Sequence, residues 1–285
     1  MIVVTGATGQ LGRLVVSRLL ARGVSPAGIV AAVRSPAKAA DLAAQGVTVR
    51  EADYARPQTL RPAFAGAERV LLISSNELGR RAAQHRAVIE AAREAGVKQL
   101  VYTSLLHADR SPLALAAEHR ETEALIAATG LPHVLLRNGW YTENYLASVP
   151  AARQHGVFLG AAGGGRVASA TRTDYADAAA VVLTQPVAGN RVLELAGDGA
   201  YTLADLVAEL NRQAGASVRY QDLPQAEFAA ALAGAGLPQA FAEVLADSDA
   251  GAAKGALFDD GHQLSALIGR PTTPLAEAMR MALAG

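Results

Sequence analysis

Apolar positions along this chain fall into two alternating patterns. Short continuous runs of Val, Ile and Leu lie near 2–5, 28–33, 47–51, 69–74, 99–104 and 132–137. Between them the apolar residues recur every three or four positions, as Leu11, Leu14, Val15 and Leu19 do, and again across 80–95 and 113–129. Unbroken runs are what strands buried on both faces require, whereas the wider spacing marks one face of a helix. The alternation predicts an α/β fold built on a Rossmann-type doubly wound parallel sheet, covered by helices on both faces. After residue 146 the rhythm loosens: Gly160–Gly165 reads as a flexible loop, Thr171–Asp177 opens an alanine-rich helix, and Val192–Ala196 reads as a further strand. Thr202 is a candidate N-cap for a helix with Leu203, Leu206, Val207 and Leu210 on one face, and Val218–Asp222 predicts one more strand before breaks at Pro224, Pro238 and Pro271. We expect a Rossmann domain over 1–137, joined by 168–198, and a smaller C-terminal α/β lobe from 138–167 and 199–285 that closes over the sheet.

Composition narrows the chemistry. The 285 residues carry 26 Lys+Arg against 26 Asp+Glu with no basic block or acidic tail, so nothing argues electrostatically for nucleic acid or an anionic membrane. With no cysteine, disulfides and thiolate-ligated metals are excluded, and the six histidines lack the close spacing of a zinc helix. No metal is expected. The chain starts in its first strand without a charged, cleavable leader, and no stretch of eighteen residues is uninterrupted by polar groups, so a soluble cytoplasmic protein acting on a small molecule is expected.

The first strand breaks into Gly6-Ala7-Thr8-Gly9-Gln10-Leu11-Gly12 and enters a helix. In that context Gly6 serves the tight turn, Gly9 lets the backbone approach a pyrophosphate, and Gly12 lets helix and strand pack closely. The ligand expected is a dinucleotide. About twenty residues on, the second strand ends at Arg34 where an Asp or Glu would hold the ribose 2′-OH of NAD. A guanidinium there suits a 2′-phosphate, which favours NADPH; a solvated loop role beside Lys38 is the alternative, and Lys38 is a weaker candidate for the same anion.

In a doubly wound sheet the residues just past each strand face the ligand. After strand three, Asp53 either accepts from an adenine amino group or caps the next turn. After strand four come Ser74, Ser75 and Asn76, small enough to let the cofactor pass. After strand five, Tyr102, Thr103 and Ser104 are placed to line the nicotinamide end. After strand six comes the densest polar and aromatic cluster, Arg137-Asn138-Gly139-Trp140-Tyr141-Thr142-Glu143-Asn144-Tyr145. Arg137, Asn138 and Gly139 are read as cofactor-facing and the remainder as a catalytic floor. Trp140 or Tyr141 would form an aromatic wall and Asn144 an amide donor, with packing as the alternative for the aromatics. His119 either meets substrate or cofactor or is a satisfied helix residue. Arg172 either meets a cofactor phosphate or pairs with Asp174.

The glycine loop, Val101-Tyr102-Thr103-Ser104, Leu136–Asn144 and Ala196-Gly197 before the helix after Thr202 resemble the NmrA-like group of atypical short-chain dehydrogenase/reductases. Leu105–Asp109, Tyr145–Ser148 and Asp247–Gly251 extend the likeness to its branch of bacterial NADPH:quinone reductases, near the triphenylmethane dye reductases. The resemblance implies flavin-independent reduction of quinones by NADPH. It also permits a non-catalytic NADP(H)-binding sensor, or a reductase of dyes and other conjugated acceptors; monomer and homodimer both stay open. One departure from ordinary short-chain dehydrogenases is physical: their Tyr-x-x-x-Lys pair is replaced by Leu115 and His119. An aliphatic alkoxide, comparable to hydroxide from water with a pKa of about 15.7, needs a tuned proton donor. A reduced quinone is phenol-like, with a pKa nearer about 10, and solvent can protonate it.

Overall fold

The computed structural model describes residues 1–187 and 189–284. Strand and helix alternate as β1 (Ile2–Thr5), α1 (Gln10–Ala21), β2 (Ile29–Val33), α2 (Ala40–Ala44), β3 (Thr48–Glu51), α3 (Leu60–Phe64), β4 (Arg69–Leu72) and α4 (Arg81–Glu94). Then come β5 (Gln99–Leu105), α5 (Ala116–Ala128), β6 (His133–Asn138), α6 (Thr142–Leu146), α7 (Val149–His155), β7 (Val157–Gly160), α8 (Arg172–Thr184) and β8 (Arg191–Leu195). The chain ends with α9 (Leu203–Ala214), β9 (Arg219–Asp222), α10 (Gln225–Gly234), α11 (Gln239–Ala252), α12 (Gln263–Ile268) and α13 (Leu275–Ala284).

Two compact units are formed: Met1–Ala108, Ala117–Asn138 and Arg172–Leu193 make the first, and Asp109–Ala116, Gly139–Thr171 and Glu194–Gly285 the second. The first holds a sheet of order β3-β2-β1-β4-β5-β6-β8, with β8 straddling the boundary. Every pairing from β3 through β6 is parallel, with Ile2 of β1 opposite both Ile29 and Arg69. Strand order reverses between β1 and β4, and at such a switch point the loops leaving the two strands part to open a crevice. The strands are buried along their whole length where the sheet is central: all five residues of β2 and all seven of β5 are inside. That burial explains why they read as unbroken apolar runs rather than alternating ones. One core joins Val3, Val30, Val70, Leu72, Leu100 and Tyr102 to Phe64, Val88 and Ile126 from the helices. On α1, Leu11, Val15, Val16 and Leu19 face inward at helical spacing, and α1 packs on α8 with Arg18 Nε 3.2 Å from Asp177 Oδ1.

The second unit contains a two-stranded parallel sheet, β7 with β9, in which Val157 lies opposite Arg219 and Gly160 opposite Asp222. Its amphipathic helix α9 starts at Thr202 with a reciprocal cap: Thr202 Oγ1 accepts from the Asp205 amide while Asp205 Oδ2 accepts from the Thr202 amide. It ends at Gly215 in the left-handed region. Inside this unit Asp249 accepts from the Tyr145 hydroxyl at 2.9 Å and the Ala161 amide at 3.0 Å. Among the described residues no helix is long and apolar enough to cross a membrane, and no cluster of three His, Cys, Asp or Glu could hold a metal ion.

Candidate functional site

The β1–α1 turn is the tightest piece of the first unit. Gly6 sits at φ +59°, a backbone state that costs a residue with a Cβ, and its carbonyl accepts from the Gly9 amide at 2.9 Å. A Cβ on Gly12 would lie 2.3 Å from the Gly6 oxygen and 2.7 Å from the Ala7 Cα, so helix and turn touch backbone to backbone. The start of α1 carries neither a side-chain cap on Gly9 nor an acidic residue in its first turn. The first-turn N–H groups therefore keep their partial positive charge for an outside anion. These are the properties a pyrophosphate cradle needs, and they fit a dinucleotide.

Around this turn lies a cleft of about 290 Å³. Gly6, Thr8 and Gly9 border it from β1, Arg34 from β2, Ala52, Asp53 and Tyr54 from β3, Ile73 to Glu77 from β4, and Gln84 from α4. The residues anticipated past the first four strands are thus brought together at the switch point. Its floor is tied down. Thr5 Oγ1 donates to Leu71 O at 2.9 Å and accepts from the Ile73 amide, while the Tyr54 hydroxyl lies beside Thr5 Oγ1 and 3.0 Å from Ile73 O. The Ser75 amide donates to His85 Nε2 at 2.9 Å, which fixes that nitrogen as an acceptor and puts the ring proton on Nδ1, facing Thr122. His85 is correspondingly held neutral: burial, with the charge of Arg81 adding to it, depresses its pKa to about 3.

Asp53 caps its own turn through the Ala55 amide at 3.0 Å and pairs with Arg56 Nε at 3.1 Å. Partial burial raises its pKa, but those two donors outweigh that effect and the net shift is downward, so the carboxylate is charged where it borders the cleft. Arg34 extends into solvent, its side chain 72% exposed, with Nη1 3.2 Å from Glu77 Oε1. Of the other glycine-loop residues, Ala7 and Leu11 are buried and Gln10 is exposed at the first position of α1.

The residues at the carboxyl ends of β5 and β6 and just beyond are engaged differently. The reading of Tyr102 as a cofactor-lining residue is corrected: its side chain is fully buried, because β5 is central and covered on both faces, and its hydroxyl meets His119 Nδ1 at 2.7 Å. Thr103 Oγ1 accepts from the Ser74 amide at 2.9 Å, tying β5 to the β4 loop. Ser104 donates to Glu123 Oε1 at 2.5 Å, and Arg137 grips the same carboxylate through Nε at 2.9 Å and Nη2 at 2.7 Å. His119 is buried and its pKa is driven well below the usual value by desolvation, with Arg81 and His85 adding to it. Asn138 is buried, and its side-chain oxygen has no hydrogen-bond partner among the described residues, a costly state in a folded interior. Gly139 donates its amide to Leu195 O at 2.7 Å. Arg172 opens α8, half-buried.

Trp140, Tyr141 and Asn144 belong to the second unit. Trp140 is buried with its ring centroid 6.3 Å from that of Tyr145; Tyr141 bridges to Ala170 and accepts from the Asn144 amide at 3.0 Å, so both sit at the entry to α6. Both are half-buried. Sequence reading did not single out Glu77 or Gln84 for the cleft. The one signal for Glu77 was an acidic residue directly after the small polar run Ser74-Ser75-Asn76.

A family model described as NAD(P)H-binding matches residues 6–186. The chain is 60% identical over 279 residues to quinone oxidoreductase 2 of Escherichia coli strain K12, covering 98% of this chain and 97% of that one. It is 31% identical to the NAD(P)H azoreductase of Xenophilus azovorans, over 97% and 96% of the two chains. Among solved structures, the E. coli NADPH-dependent quinone oxidoreductase complexed with NADPH superposes with a TM-score of 0.96 at 59% identity, covering 99% of this chain and 100% of that one. The Citrobacter sp. triphenylmethane reductase complexed with NADP(H) gives 0.94 at 38% identity, over 99% and 100%.

Proposed function

The chain belongs to the NAD(P)H-binding family, and from that membership together with its likeness to the E. coli quinone oxidoreductase 2 we propose that it is a flavin-independent NADPH:quinone oxidoreductase. When bound, NADPH would supply a hydride, and with one proton taken from solvent the net reaction is two-electron reduction of a quinone to the hydroquinone, leaving NADP⁺. Gly6, Thr8, Gly9 and the open first turn of α1 would hold the pyrophosphate. Arg34 would take the 2′-phosphate, Asp53 and Ser74 to Asn76 would flank the adenosine half, and Asn138 offers a buried amide oxygen still in need of a donor. Trp140, Tyr141 and Asn144 are the residues we assign to the quinone, the rings as a flat apolar wall and the amide as a donor to a carbonyl oxygen.

The observation that carries the reading of the acceptor is the state of His119. It stands where alcohol-type dehydrogenases of this superfamily carry a lysine, yet it is buried, neutral and bonded to Tyr102. A neutral imidazole in that position has no ammonium-like charge with which to lower the pKa of a neighbouring acid. Chemistry that ends in an alkoxide would be handicapped, whereas the phenol-like product of quinone reduction needs no such donor. The chain's contribution is then positioning and exclusion of competing geometries. The likeness to the E. coli quinone enzyme supports the same acceptor.

The test is NADPH oxidation followed by absorbance with 1,4-benzoquinone and, in parallel, with a cationic triphenylmethane dye. Turnover with the quinone is expected, and Asn144→Ala should lower it. NADPH binding without turnover of either acceptor would overturn the enzyme assignment in favour of a nucleotide sensor, and turnover of the dye alone would move the substrate class to extended conjugated cations.

A further inference from the structure

At the mouth of the cleft one carboxylate holds two guanidinium groups. Glu77 Oε1 accepts from Arg34 Nη1 at 3.2 Å, and Oε2 lies 3.3 Å from Arg80 Nη1. Glu77 is in direct ion-pair contact with both arginines, while the charge of Arg34 also reaches Asp53 across the cleft. The arginine side chains are 72% and 67% exposed, but Glu77 is only 32% exposed and is anchored from behind. Gln84 Nε2 donates to its Oε2 at 2.8 Å, its own amide donates to Ser75 Oγ at 3.1 Å, and Ser75 Oγ in turn donates to Gln84 Oε1. The anion is therefore held from behind by the loop, whereas the two cations stand on exposed stems.

Taking the NADPH reading above as its basis, the 2′-phosphate meets an Arg34 that is already paired. A phosphate monoester carries about 1.5 to 2 negative charges near pH 7 and three terminal oxygens, against one charge on a carboxylate. Guanidinium groups on long exposed stems exchange one partner for the other without disturbing the loop that holds Glu77. We propose that Glu77 is an internal competitor that occupies Arg34 and Arg80 until the cofactor's 2′-phosphate displaces it, and that Arg80 is the second guanidinium of the phosphate subsite. Glu77 thus sets the margin by which a 2′-phosphorylated nucleotide is preferred. It also keeps free inorganic phosphate off the arginine pair between turnovers.

Calorimetric titration of 2′,5′-ADP and 5′-AMP isolates the 2′-phosphate without any turnover. Exposed ion pairs are worth up to about 1 kcal/mol, so Glu77→Gln should tighten 2′,5′-ADP by about two- to fivefold, leave 5′-AMP unchanged, and make inorganic phosphate a stronger competitor. Arg80→Ala should weaken 2′,5′-ADP by a similar factor, again with 5′-AMP unchanged, and Arg34→Ala should weaken it more. Weaker 2′,5′-ADP binding by Glu77→Gln would overturn the proposal, since Glu77 would then be orienting Arg34 rather than competing for it. Equal shifts for both nucleotides, or an Arg80→Ala that changes neither, would do the same. Wild-type protein that binds neither nucleotide would remove the underlying cofactor reading and this proposal with it, whereas normal wild-type binding with an inert Glu77→Gln removes the proposal alone.

Discussion

Adding a single methyl at Gly12 is the most direct probe of the cradle. The new Cβ would sit 2.3 Å from the Gly6 oxygen, 2.7 Å from the Ala7 Cα and 2.9 Å from the Gly6 carbonyl carbon. All three are backbone atoms, so no side chain can rotate away; ordinary contact is restored only by moving α1 about 1 Å off the turn. Overpacking of this kind costs about 1–3 kcal/mol, which for a unit of this size lowers the melting temperature by about 2–12 °C. A shift of about 1 Å in a positioning element can also cost about 100-fold in turnover. Gly9→Ala is the internal control: its Cβ meets one atom, the Gly6 oxygen, at 3.2 Å, and its φ of −75° suits any residue. We expect Gly12→Ala to lose both thermal stability and NADPH affinity by calorimetry, and Gly9→Ala to keep its stability. A Gly12→Ala protein with wild-type melting and affinity would refute the close-contact argument.

Three further outcomes follow from buried charge. Asp249, whose pKa is raised to about 6 by burial despite the Ala161 and Tyr145 donors, takes up a proton on folding between about 3.8 and 6. The stability it favours is whole below pH 3.8 and is lost as pH rises through 6, by roughly 3 kcal/mol at about 1.4 kcal/mol per unit. Urea unfolding followed by the single tryptophan, Trp140, should show that trend in wild type relative to Asp249→Asn; a difference independent of pH would contradict it. His85 and His119, both depressed, contribute stability that is complete above pH 6.5 and falls away as pH drops below it, so their ring proton resonances should not move between pH 8 and 5.5. A titration midpoint near 6.5 for either would refute the buried-neutral assignment. Glu123→Ala removes the carboxylate that Arg137 grips, at a site where both side chains are 11% exposed, and should cost about 1.5–3 kcal/mol by chemical denaturation; a loss under about 1 kcal/mol would show the pair to be dispensable.

Much of the first unit was legible because each signal is local. A glycine spacing, a buried run and a helical stripe are all read within a dozen residues, and β1, β2, β5 and α4 fall within one or two positions of where the pattern puts them. What escaped the sequence depends on distant partners. β9 was anticipated from Val218–Asp222, but its mate Val157–Gly160 is a four-residue run ahead of a glycine stretch read as loop. Only the parallel pairing of Val157 with Arg219, across some sixty residues of chain, makes it a strand. Tyr102 is placed beside the cofactor by its position at the end of the fifth apolar run, yet an aromatic in a strand covered on both sides is drawn into the core. The Arg34–Glu77 pair is invisible for the same reason: two loops, from β2 and β4, meet at the switch point although 43 positions separate them.

The first unit is assembled from three separated stretches of chain, the last of which runs from Arg172 to Leu193. During synthesis on the ribosome, α1 therefore emerges early and waits for α8 to cover it and for β8 to flank β6. A nascent chain halted before residue 172 would keep an apolar helix flank and an open sheet edge exposed, so that translational stalling in the intervening stretch gives chaperones and proteases their opportunity.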